Sequence, residues 1–116
     1  MEARAISRHI RQSPRKMRLV IDEIRGRNVN DAYAILQFSK KKAATAIDKT
    51  LRSAVANARD KGDRDGELVD VDDLYVKEAY VDEGPYYKRW RAAAMGRPAP
   101  IRRPTAHVTV VVDTKE

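Results

Sequence analysis

From Gly84 to Pro104 the chain runs for 21 residues without an acid. It carries Lys88, Arg89, Arg91, Arg97, Arg102 and Arg103 there, four of its five prolines (Pro85, Pro98, Pro100, Pro104) and three of its seven aromatics (Tyr86, Tyr87, Trp90). Two strand-like runs flank the stretch. Before it, in LYVKEAYVDE, Leu74, Val76 and Tyr80 alternate against Tyr75, Lys77, Ala79 and Val81; after it, TAHVTVVV (105–112) is β-branched and apolar. A tight hairpin turn uses about two to five residues, so the stretch is far too long to be only a turn. If both strands simply continue, about 11 residues from Asp82 to Ala93 reach roughly 35 Å at ~3.3 Å each. The remaining ~90 residues have a radius of gyration of only about 12 Å. The arm then stands clear of the body, and a bare two-stranded hairpin is marginal in water.

Ahead of these strands the periodicity is helical. Ser13 suits an N-cap and Pro14 a first helical position, and Met17, Val20, Ile21 and Ile24 form one apolar face before Gly26 ends the helix. Arg15, Arg18, Asp22 and Arg25 lie opposite. Asn28, with Asp31 three residues on, caps a second helix whose stripe is Ala32, Ile35 and Leu36. Ser39 reads as the next N-cap, and a third helix runs to about Lys61 with Ile47, Leu51, Ala54, Val55 and Ala58 on one side. DKGDRDGE (60–67) reads as a polar loop, and residues 3–10 as a short strand. The order predicts an α+β fold: three helices packed on a small antiparallel three-stranded sheet, with a long protruding β-hairpin arm. At 116 residues this is one domain, with body 1–83 and 104–116 and arm 84–103.

Charge narrows the function. The net charge is +7, which favours a polyanionic partner, and it divides as +9 over residues 1–61, −7 over 62–83 and +5 over 84–116. The partner should therefore meet both ends of the chain, with the acidic middle turned away. Lys and Arg neutralise phosphates, and interleaved Tyr and Trp can stack on unpaired bases. From residue types alone the arm has two readings, a disordered basic loop or a folded arm used for RNA. Lys40-Lys41-Lys42 and Ser13-Pro14-Arg15-Lys16 with Arg18 read either as solvated helix faces or as contacts to the phosphate backbone of a nucleic acid, the latter favoured by the net charge.

Other chemistry is thin. The absence of cysteine excludes disulfides, thiolate catalysis and cysteine-based zinc sites. Asp63-Arg64-Asp65-Gly66 fails as a calcium loop, because Lys61 falls at its first position and Asp72 at its twelfth; Asp70, Asp72 and Asp73 read as a solvated edge. His9 and His107 stand alone, each a packed or surface histidine. No phosphate-cradling glycine motif is present, so neither an enzyme nor a cofactor is expected. MEARAISRHIRQ has no apolar signal-like core and no apolar run approaches a membrane span, so a soluble cytoplasmic protein with no membrane partner is expected.

SPRKMRLVIDEIRG (13–26), AYAIL (32–36), KKAA (41–44), SAVANA (53–58), LYVKEAYVDEGP (74–85), KRWR (88–91), GR (96–97) and RPTAHVTVVV (103–112) together resemble the bacterial large-subunit ribosomal protein twenty-two family, in order and over nearly the whole chain. The resemblance implies a structural protein that binds large-subunit ribosomal RNA, aids subunit assembly and sends its hairpin into the nascent-peptide exit tunnel. Implied partners are that RNA, neighbouring subunit proteins including ribosomal protein L-four, and the nascent polypeptide. The implied RNA-binding set is Arg8, Arg11, Ser13, Arg15, Lys16, Arg18, Lys40, Lys41, Lys42, Lys88, Arg89, Arg97, Arg102, Arg103 and His107. The implied tunnel-lining tip is Tyr87, Lys88, Arg89, Trp90, Arg91, Ala92 and Ala93. Family tips often read F/I-x-P-R-A-x-G-R, whereas this chain has Trp90-Arg91-Ala92-Ala93-Ala94-Met95-Gly96-Arg97. A free-standing RNA-binding module and a protein–protein adaptor are the rival classes.

Overall fold

The computed structural model describes residues 2–85, 87–92 and 98–114, with backbone alone described within 87–92 and 98–103. In chain order the elements are β1 (Glu2–Ile10), α1 (Pro14–Ile24), α2 (Val29–Phe38), α3 (Ala43–Asp65), a 3-10 turn (Val71–Asp73), β2 (Leu74–Glu83), β3 (Tyr87–Ala92), β4 (Pro98–Arg103) and β5 (Ala106–Thr114). The body sheet is antiparallel in the order β1-β5-β2, and β3 pairs with β4 in a separate two-stranded sheet. The expected α+β architecture is therefore observed. The most β-branched run in the chain becomes the central strand, where it is paired on both sides.

Val108, Val110 and Val112 of β5, Ala3 and Ala5 of β1, and Val76, Ala79 and Val81 of β2 face the helices. Against them lie Met17, Val20, Ile21 and Ile24 of α1 and Ile47, Leu51, Ala54 and Ala58 of α3. The stripes expected from helical periodicity are the ones buried; in α2, Val29, Ala32 and Leu36 are buried and Ile35 is half-buried. Both free edges of the sheet are covered by side chains from the helices. Arg18 donates through Nε and Nη2 to Val81 O (3.2 and 2.9 Å), and Arg25 does the same to Ala79 O (3.0 and 2.7 Å), along β2. Along β1, Asn57 Nδ2 donates to Arg4 O and Lys61 Nζ to Glu2 O, each at 2.9 Å. Exposed strand edges template unwanted pairing; here four polar side chains occupy those acceptors.

Several local expectations are corrected. Ser39 ends α2 rather than capping α3, and its Oγ accepts from Lys41 N–H at 3.3 Å, so Lys40 to Lys42 precede the third helix instead of forming its first turn. That helix continues to Asp65 through part of the stretch read as a loop. Gly62 lies within it because a Cβ there would run into Val69 Cγ2 and come within 2.9 Å of Glu67 O; it is a close-approach glycine, not a turn. In β2 the register shifts between Val76 and Glu78, so Leu74, Val76, Ala79 and Val81 are buried and Tyr80 is 42 % exposed. One inserted residue reverses the inward side of the strand. Asp70 and Asp72 are more than a solvated edge: Asp70 Oδ1 accepts from Asp72 N–H at 3.0 Å, and Asp72 holds Asn28 Nδ2 through its carbonyl (3.0 Å) and Asn30 Nδ2 through Oδ1 (2.6 Å).

The radius of gyration is 17.5 Å and the principal extents are 66 × 27 × 16 Å. A compact chain of this length would have about 13 Å, so the molecule is elongated. The body ladder ends at Glu83↔Ala106 and the arm ladder starts at Tyr87↔Arg103, and Gly84 and Pro85 lie between them across from Pro104 and Thr105. Pro85 and Pro104 supply no N–H there. The junction is closed instead by Gly84 N–H to Thr105 O (2.9 Å) and Thr105 Oγ to Pro85 O (2.6 Å).

Candidate nucleic-acid interface

The contacts that orient the helices also sort the charges. Lys61 meets β1 at Glu2 and Asn57 meets it at Arg4, while Thr50 Oγ1 lies 2.7 Å from Ser7 Oγ. Helix α3 therefore runs antiparallel to β1, and its start lies at the Ile10 end of that strand. Helix α1 runs antiparallel to β2, from Arg18 on Val81 to Gly26, whose N–H donates to Val76 O at 2.9 Å. Its first turn thus lies at the Glu83 end, where the arm begins. As a result Arg8 and Arg11 after the middle of β1, Arg15 and Lys16 in the first turn of α1, and Lys40, Lys41 and Lys42 before α3 come to one pole of the body. All seven are exposed.

The acids of residues 60–73 lie at the opposite pole, whereas Asp82 and Glu83, both exposed, end β2 at the pole where the arm begins, so only part of the acidic middle turns away. Asp60, Asp63 and Asp65 sit on the last turns of α3, followed by Glu67, and Asp70, Asp72 and Asp73 lead into β2. Twenty-three residues of helix, roughly 34 Å at ~1.5 Å each, separate the start of α3 from its end. Arg64, on the last turns of α3, is paired to Asp60 at 2.7 Å. On the uncovered sheet face Lys77 Nζ lies 3.1 Å from Glu2 Oε2 and 3.8 Å from Asp113 Oδ2, and the hydrogen bond to Glu2 raises its pKa above the ordinary lysine value.

The remaining members of the implied RNA-binding set fall in distinct surroundings. Ser13 is at the N-cap of α1 but makes no side-chain cap bond. Arg18 commits two donors to Val81 O, so it holds the sheet edge, and its other amino group is not used in that contact. His107 is not alone: its Nδ1 accepts from His9 N–H at 3.0 Å, and the two rings meet edge-on at 4.9 Å between centroids. His9 has φ +58° within an irregular stretch of the β1–β5 ladder, and no sequence spacing announces that pairing. A Cβ on Gly84 would strike Thr105 Oγ1 and come within 3.2 Å of the His107 ring. His107 therefore packs the root of the arm.

In the arm, Tyr87, Lys88, Arg89, Trp90, Arg91 and Ala92 form β3, and Arg102 and Arg103 close β4. The register sets Lys88 opposite Arg102 and Tyr87 opposite Arg103. Ala93 and Arg97 lie outside the described residues. Sequence reading passed over one exposed aromatic: Phe38, the last residue of α2, is 83 % exposed beside the lysine run. Its signal was present, since it lies off the Val29, Ala32, Leu36 stripe.

The family model described as "Ribosomal protein L22p/L17e" matches residues 5–113. The chain is 53 % identical over 116 residues to the large ribosomal subunit protein uL22 of Bifidobacterium longum (strain DJO10A), covering all of this chain and 98 % of that one. It is 51 % identical over 116 residues to the uL22 of Halothermothrix orenii, with the same coverage. With the uL22 of Desulfitobacterium hafniense (strain DSM 10664 / DCB-2) it shares 54 % identity over 115 residues, 99 % of this chain and 96 % of that one. Matched end to end by relatives at this identity, the chain belongs to the ribosomal protein L22p/L17e family.

Proposed function

We propose that this protein is a structural constituent of the cytoplasmic large ribosomal subunit that grips ribosomal RNA with the basic pole of its body and with its arm. It aids assembly by fixing several RNA segments to one folded body. The family supports the first part. The observation that carries the RNA reading is the convergence of Arg8, Arg11, Arg15, Lys16 and Lys40 to Lys42 at the pole where the arm starts, where they outnumber Asp82 and Glu83, with the acids of residues 60–73 at the other. A polyanion approaching from the arm side meets cations on both elements, and one approaching the far pole is repelled.

The arm extends this surface. Lys88 and Arg102 hold facing register positions, and like charges at facing positions weaken a ladder. An RNA phosphate between or beside them converts that repulsion into binding. Arg89, Arg97 and Arg103 belong to the same contact, and Tyr87 to Ala93 form the tip that lines the nascent-peptide tunnel, close to ribosomal protein L-four. His107 and Arg18 serve by holding the arm root and the sheet edge against which the RNA lies.

Affinity of the full chain for a large-subunit rRNA transcript, measured across salt concentrations, tests the reading. Changing Lys40, Lys41 and Lys42 together to Ala flattens the slope of log K against log salt by roughly two to three units. Changing Asp63, Asp65 and Glu67 together to Ser leaves both slope and affinity nearly unaltered. Equal slopes for wild type and the lysine variant would contradict the proposed pole.

A further inference from the structure

We infer that Phe38 is a stacking platform for an unpaired RNA base, with Lys40, Lys41 and Lys42 holding the phosphates on either side of it; this rests on the RNA reading above. Phe38 is the chain's only phenylalanine. The core does not use it: α2 buries Val29, Ala32 and Leu36, and Phe38 is left 83 % exposed at the end of the helix. Leu68 is exposed too, but among the acids of the opposite pole. Of the exposed large apolar side chains Ile6, Leu19, Phe38, Leu68 and Tyr80, described outside the arm, Phe38 alone is followed, after Ser39, by a run of cations.

The local backbone supports this use. After Phe38 the chain leaves the helix at Ser39 in an extended conformation (φ −73°, ψ 133°), and Lys41 N–H is held on Ser39 Oγ. The ring and the three lysines are thus carried on a short connection fixed between two helices, rather than on a free terminus. Among the described residues no ion pair is formed by Lys40, Lys41 or Lys42. Lys42 is itself the N-cap of α3, without a side-chain cap bond, and the first turn of that helix contains no acid. Cations at that end of a helix oppose its dipole, so their placement is favourable when an anion is supplied from outside.

A ring beside phosphate-binding lysines fits single-stranded RNA. The base contributes a face for stacking and the backbone contributes the charge. A protein pocket that took the ring would have to accept three lysines at its rim. A duplex would offer the phosphates without an accessible base face. The occupant is therefore a looped-out or single-stranded base of the ribosomal RNA.

The test uses the full chain and a large-subunit rRNA transcript. Phe38→Ala weakens binding by roughly tenfold, the order contributed by one base stacked on an aromatic ring, and leaves the salt slope unchanged because no phosphate contact is lost. Phe38→Tyr retains wild-type affinity, whereas Phe38→Leu, apolar but without a π face, behaves as Phe38→Ala. Thermal midpoints of all three variants stay near the wild-type value, since the side chain is largely exposed and outside the buried core. Unchanged affinity for Phe38→Ala alongside a flattened slope for the triple lysine variant would overturn the platform and leave the RNA reading intact. Full rescue by Leu would also overturn it, as would a defect confined to subunit incorporation with normal RNA affinity, which would make the occupant a neighbouring protein. Absence of salt-dependent binding by the wild-type chain would overturn both readings.

Discussion

The same two strand directions run through the body and the arm under opposite physical conditions. In the body, β2 and β5 are flanked by β1 and backed by three helices, and the inward side chains Val76, Ala79, Val81, Val108, Val110 and Val112 are at most 4 % exposed. In the arm, β3 and β4 pair only with each other. Their six-residue strands include Pro98 and Pro100, which give no ladder N–H, and cations at the facing positions 88 and 102. The strands are thus divided at Pro85 and Pro104 into a part stabilised by its own burial and a part that, under the proposed function, serves a partner.

The comparison breaks most visibly if the body does not depend on its own core. Leu51 is fully buried on α3. Leu51→Ala should cost about 2–5 kcal/mol, a large share of the ~5–15 kcal/mol available to a domain. The thermal midpoint should fall by more than ~10 °C. A shift of only a degree or two would mean that the helical layer contributes little, and that body and arm are not different in kind.

The converse change should have the smallest effect. Gly84 and Thr105 are joined by an N–H to carbonyl bond, so residues 85–104 can be replaced by Asn-Gly, a two-residue turn that suits a hairpin end. The shortened protein should keep a midpoint within a few degrees of wild type while losing much of its affinity for rRNA. A collapse of the midpoint would show that the body needs the arm.

How much of this was legible follows the range of the interactions. Helix stripes and the TAHVTVVV strand are written in local periodicity, and the structure buries them as that periodicity requires. The arm was legible for the same reason, as a segment too long for a turn and lacking any acid. What local patterns could not show depends on residues distant in sequence. Gly62 looks like a loop residue until Val69 and Glu67 are seen folded against it. Tyr80 looks inward until the ladder shifts near Lys77. Arg18 and Arg25 look like a solvated face until the carbonyls of Val81 and Ala79 are placed beneath them. The basic segments were each visible as charge blocks. Their convergence at one pole depends on the antiparallel setting of α1 against β2 and of α3 against β1, which composition does not encode.

Amide hydrogen exchange on the full-length protein, alone and bound to a large-subunit rRNA transcript, tests the division most directly. In the free protein the amides of Val108 to Val112 should exchange only with global unfolding, and those of Lys88 to Ala92 should exchange with little protection. On RNA the arm amides should become protected by orders of magnitude while those of β5 change little. Arm amides as slow as those of β5 in the free protein, or an arm unaffected by RNA, would contradict the account.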